Sequence, residues 1–242
     1  MHGARRAPRQ TAPIDPQPDS KPDSPDDPDE RRGERREPVI AALVVAIALP
    51  ILMPAKFSPG PGWLLPVVLA ALLVAMAVTD PGRIDKRSAR VRAIRVALVA
   101  ILATGAAWAT IWLTADIIRG GKATNDPGDL LLAGALVLAD LMITFAFVYW
   151  ELDSGGPGQR AHSTPPYPDL AFPQHMSPEL APPGWRPVFL DYLYLGITNS
   201  VAFSPTDVMP LAHWAKGAMA LQSVGSLAVL GLVIARAVNV LT

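Results

Sequence analysis

Few acidic, amide or hydroxyl side chains interrupt the apolar stretches of this chain, and the ones that do stand where they could carry chemistry. Asp140 lies near the middle of the apolar run 130–150, and Thr144 follows four residues later on the same helical face. An ionisable side chain at the centre of a membrane helix costs about 2.5–3.5 kcal/mol on insertion scales, so its presence asks for a reason. Two readings stand: a proton or cation site, or a structural carboxyl that is protonated or hydrogen-bonded to a neighbouring helix. Asn199 in the run 188–204, next to Thr198, and Gln222 in the run 211–240 approach mid-depth if both runs span. Asp140, Thr144, Thr198, Asn199 and Gln222 thus form either a polar pathway or the hydrogen-bonding glue such groups build between helices. In the same arrangement Asp191 and Arg236 lie near one face of the bilayer and can pair. Asp116, His213 and Lys216 lie near the other, as anchors or snorkelling groups.

Much other chemistry is excluded. The chain has no cysteine among its 242 residues, which removes thiol catalysis, disulfides and cysteine-held zinc. Its four histidines are scattered, so no metal is expected. No phosphate-cradling loop, nucleophile elbow or H-E-x-x-H occurs, and Gly155-Gly156-Pro157-Gly158 reads as a turn. Neither a catalytic residue nor a cofactor is therefore expected. A formal net charge of zero without a recurring basic face gives nucleic acid no footing.

The elements that must position these groups follow from composition. A bilayer core about 30 Å thick takes about 20 apolar residues per helix. Runs at 38–55, 63–79, 96–118, 130–150 and 211–240 qualify, and the shorter, more polar 188–204 makes a sixth. The first five runs are apolar on every face, as helices surrounded by lipid and by each other must be. The expected fold is an all-α transmembrane bundle of six spans with both termini on the same side. Residues 1–37, rich in proline and holding eight basic and nine acidic side chains, form a disordered tail. Residues 38–150 hold four spans, 151–187 a Pro/Gly-rich loop with nine prolines, and 188–242 a short fifth span, or a re-entrant segment, and a long sixth. Basic residues alternate from loop to loop. Arg31, Arg32, Arg35 and Arg36 precede the first run, Lys56 follows it, and six basic residues fill 80–95. Arg119 and Lys122 come next. By the positive-inside rule the N-terminus is cytoplasmic. The Ala-, Arg- and Pro-rich usage points to a bacterial plasma (inner) membrane. The expected partners are the lipid bilayer, further copies of the chain, and an ion or small solute.

The C-terminal third carries two resemblances. Asp191-Tyr192-Leu193-Tyr194, then Thr198, Ser200 to Ser204 and Thr206-Asp207-Val208 before a long closing helix, resemble a bacterial family of uncharacterised multi-span membrane proteins. Phe145 to Trp150 and Asp153 to Gly156 fit that family's aromatic helix end and Gly-rich loop. The likeness covers about the last 110 residues. It is a domain of unknown function, so the resemblance implies a fold and a location but no activity. The same stretch also resembles the pore module of two-span potassium channels, with Ser200-Val201-Ala202-Phe203-Ser204 at the filter positions. It departs from that pattern at both glycines, now Ala202 and Ser204, and in the inserted Pro205 and Thr206. A carbonyl-lined filter uses glycine's backbone freedom. The basic loops also place 151–187 on the cytoplasmic side, whereas such a pore loop enters from outside. The expected function is channel- or carrier-like transport; the alternative is a membrane scaffold or sensor working through the tail and the Pro-rich loop.

Overall fold

Inside lipid, backbone groups must find partners within their own segment, and apolar runs with few breakers do so as helices. The computed structural model describes residues 33–57, 62–79, 84, 88–163, 167–202 and 207–241. Most of the tail, most of the basic loop 80–87 and residues 203–206 of the filter-like stretch lie outside the described residues. Among the described residues eight α-helices form: α1 (Glu37–Leu52), α2 (Leu64–Thr79), α3 (Ala89–Arg119), α4 (Pro127–Leu152), the short α5 (Pro157–Arg160) and α6 (Pro173–Met176), α7 (Phe189–Ala202) and α8 (His213–Leu241). Of these, α3, α4 and α8 are long and apolar enough to cross a membrane. The 16-residue α1 and α2 are apolar but shorter; each measures about 24 Å at 1.5 Å per residue.

Local chemistry sets the helix ends. Gly120 closes α3 with φ 66°, where a side chain would be strained, and its N–H reaches the Ile117 carbonyl at 3.1 Å. Asp126 opens α4, its Oδ1 accepting from the N–H groups of Gly128 (2.9 Å) and Asp129 (3.1 Å), with Pro127 in the first turn. Those bonds hold its carboxyl below the ordinary aspartate range. The central helix is α4, which packs against α1, α3, α7 and α8 and buries Phe147, Tyr149 and Trp150.

The bundle has two distinguishable ends. At the first, Ile84 donates its N–H to the Glu34 carbonyl (3.1 Å), and the start of α3 meets the end of α4 through Arg95 and Glu151. At the second, Lys56 pairs with Asp129 (2.8 Å). Residues 151–163 and 167–187 pack over the first end as short helices, turns and strand β1 (Leu170–Ala171).

That strand overturns the six-span expectation. It pairs antiparallel with β2 (Met209–Pro210), and the Leu211 N–H donates to the Asp169 carbonyl at 2.8 Å. The segment that precedes α8 therefore sits at the first end, where α7 also begins. With 14 residues, α7 is about 21 Å long. It enters from the first end, and the chain is back at that end by Met209. Six crossings are not formed. α8 runs from the first end to the second, so the described chain starts and finishes at opposite ends.

Candidate functional site

Asn199 and Gln222 fall in one place and Asp140 in another, separate one. The first is a hydrogen-bonded knot where α7 meets α4 and α8. Gln222 Oε1 accepts from the Tyr149 hydroxyl (2.6 Å) and from Asn199 Nδ2 (2.8 Å). Gln222 Nε2 donates to the Gly196 carbonyl and to Ser200 Oγ, both at 2.7 Å. All four hydrogen-bonding positions of its amide are thus used within the protein. Asn199 Nδ2 donates a second time, to the Met219 carbonyl (3.0 Å), and Ser223 Oγ reaches Asn199 Oδ1 (3.3 Å). Gln222 and Asn199 are fully buried. Burying amides is tolerable only when they are paired, and here each donor has an acceptor.

Thr198 stands apart, half-buried, its hydroxyl donating to the Tyr194 carbonyl of its own helix (2.9 Å). Thr144 and, on α8, Ser226 are buried with hydroxyls that find no partner among the described residues.

The second place is a cavity of about 360 Å³ between the C-terminal end of α1, the start of α2 and the middles of α3 and α4. Asp140 lines it, not the knot. The expected meeting of Asp140 with Asn199 and Gln222 does not occur, because Asp140 turns toward α1 and α3 while Tyr149 turns toward α8.

The expected ion pair is also not formed. Asp191 Oδ2 accepts from the Val188 N–H (2.7 Å), capping the start of α7 at the first end. Arg236 is at the second end, donating to Thr124 Oγ1 (3.1 Å) and Asn125 Oδ1 (2.9 Å). Counting one span too many had put the two residues on one face.

Several residues that organise the first end carry no sequence motif. Arg95 Nε donates to Glu151 Oε2 at 2.9 Å, with both side chains almost fully buried. Arg160 Nη1 donates to the carbonyls of Trp150 (2.8 Å) and Asp153 (2.6 Å), closing the C-terminus of α4, and its guanidinium lies 4.9 Å from the Tyr192 ring. The Tyr192 hydroxyl donates to Asp153 Oδ2 (2.5 Å). His175 accepts at Nδ1 from the Phe172 N–H (3.2 Å) between the Phe172 and Trp185 rings; burial holds its pKa below the ordinary histidine value. The one available signal for these contacts was the density of aromatic residues around them.

Glu34, from the charge-rich tail, docks at this end too. Its Oε2 accepts from Trp150 Nε1 (2.8 Å), and its Oε1 accepts from the Phe189 N–H. Burial pushes its carboxyl above the ordinary glutamate range. The folded pKa exceeds the unfolded one, so docking gains stability that is complete at acid pH and is lost as pH rises through the folded value. Tryptic cleavage after Arg35, normalised to a free peptide of the same sequence, should therefore speed up as the pH is raised above 4.5. A flat profile would refute the docked carboxyl.

No family model, curated protein or solved structure matches this chain.

Proposed function

We propose that this is a small membrane transport protein of the channel type, in which α4, α7 and α8 form a helix, half-helix and helix module that passes a small cation. The carrying observation is the reversal of the chain after α7, fixed by the pairing of β1 with β2 at the end where α7 begins. A 14-residue helix cannot cover a bilayer core of about 30 Å. Its described residues end inside, and the C-terminal end of such a half-helix directs partial negative charge to that depth. Discontinuous helices that end at mid-depth are a recurring way to hold cations in lipid. Val201 and Ala202, at that inner end, are exposed, while the knot around Gln222 holds the half-helix at its depth. The described ends carry unequal numbers of basic residues: Arg35, Arg36, Arg90, Arg92, Arg95, Arg160, Arg186 and Lys216 (expected from the sequence at the other face) gather at the first, against Lys56, Arg119, Lys122 and Arg236 at the second. On the positive-inside rule the first end faces the cytoplasm of a bacterial cell. The half-helix then enters from inside, so the likeness to potassium-channel pores is one of chain arrangement and not of sidedness. With one half-helix among the described residues of each chain, several copies would surround one pathway. The scaffold alternative has less support, because 167–187 packs onto the helix ends instead of standing free for a partner.

The test uses purified full-length protein in liposomes and uptake of radioactive rubidium. Uptake above empty liposomes is expected. The chain lacks cysteine, so a charged thiol reagent should leave it unaffected. The same reagent should block uptake through an Ala202→Cys variant. Folded, reconstituted protein without uptake would overturn the proposal.

A further inference from the structure

The Asp140 cavity takes no lining residue from α7 or α8, and its lining is nearly all hydrocarbon: Leu49 and Met53 from α1, Leu65 from α2, Trp108 from α3 and Leu136 from α4. Among the described residues, Asp140 is the only ionisable one in that lining. Its side chain belongs to a residue only 9% exposed, and among the described residues it has neither a hydrogen bond nor an ion pair. Among the described residues of the lining the other polar groups are the Trp108 indole N–H and the Thr104 hydroxyl, and the latter spends its proton on the Ala100 carbonyl (2.8 Å).

A lone carboxyl in an apolar chamber selects strongly among occupants. A hard metal cation needs about six oxygen ligands, and the chamber offers two carboxyl oxygens. A phosphate or carboxylate would meet like charge. A molecule with an apolar body and one protonated nitrogen matches both features: the body replaces lipid against leucine and methionine, and the N–H donates to the carboxylate. At about 360 Å³ the cavity falls in the range of small-ligand sites, about 300–1,000 Å³. Trp108, 55% exposed at the rim, offers a ring face to the passing cation and marks the side open to lipid, where such amines partition. We infer that this cavity is a binding site for small lipophilic amines entering from the bilayer, with Asp140 as the anion that holds the ammonium. The inference does not depend on the transport reading.

Equilibrium binding of tritiated benzyldimethylamine to the full chain in lipid nanodiscs tests it, with empty nanodiscs as the blank. Saturable binding is expected, weakened at least tenfold by Asp140→Asn and largely kept by Asp140→Glu. Unlabelled benzyltrimethylammonium, which lacks the N–H, should compete more weakly than the tertiary amine. Isobutylbenzene, its uncharged isostere, should not compete at all. Ala109→Phe leaves the carboxyl in place but fills the chamber, and should also abolish binding; this variant decides the matter if the asparagine variant does not fold. Binding that is equal in both variants and the wild type, or is displaced equally by isobutylbenzene, means partition into apolar surface and overturns the site.

Discussion

Glu151→Gln should lower the stability of the protein by about 3–5 kcal/mol, the range for breaking a buried ion pair by removing one partner. Arg95 Nε and Glu151 Oε2 lie 2.9 Å apart, and the two side chains are only 4% and 1% exposed. The glutamine would leave the Arg95 guanidinium charged in a place that water does not reach. The pair is not fully satisfied even now, since Arg95 Nη1 and Glu151 Oε1 have no hydrogen-bond partner among the described residues. Its attraction therefore offsets little of the desolvation of two charges. It follows that an Arg95→Met, Glu151→Leu double variant should recover most of the loss, because both charges leave together. Unfolding of the single and double variants in detergent micelles, read as a double-mutant cycle, measures this. A single variant within about 1 kcal/mol of wild type would show the pair to be solvated like a surface bridge.

How far the sequence could be read depended on whether a feature was local. α3, α4 and α8 are visible in composition, because their apolar runs exceed the length a bilayer requires. α7 misled for a physical reason: a half-helix and a short full crossing have the same apolar content and the same polar load. What separates them is the pairing of Leu170 with Pro210 across forty residues, and no periodicity encodes that. The error then spread. An extra crossing moved the end of α8 to the wrong side and matched Arg236 with Asp191, whereas Arg236 meets Thr124 and Asn125. Asn199 and Gln222 could be named as polar groups within apolar runs, but their partner Tyr149 could not, since an aromatic at a helix end reads first as an interfacial anchor. Asp140 was singled out by its type alone, and the direction it faces depends on how α4 is rotated among four neighbours. Glu34 was hidden in a tail whose composition favours disorder, because its docking depends on two donors, Trp150 and Phe189, that are remote in sequence.

Gly196→Val should abolish the folded protein, and Gly196→Ala should cost at least about 2 kcal/mol, within the range for overpacking a filled site. A Cβ on Gly196 would stand 2.6 Å from the Met142 carbonyl oxygen and 3.3 Å from the Ala146 nitrogen. Both are backbone atoms of α4, so no rotamer change relieves the clash and one helix must move away from the other. That movement also strains the knot, because the Gly196 carbonyl accepts from Gln222 Nε2 at 2.7 Å. Losing that acceptor leaves a buried amide proton unpaired, at a further cost of about 1–3 kcal/mol if nothing replaces it. The substitution therefore attacks depth and anchorage of the half-helix together. Gly217 in α8 supplies the control, since a Cβ there meets nothing within 4 Å. Gly217→Ala should be neutral or stabilising by up to about 1 kcal/mol through helix propensity. Detergent unfolding of the two alanine variants side by side separates close packing from helix propensity. If both behave alike, α7 does not press against α4 at Gly196, and the half-helix is not held at the depth that a cation pathway requires.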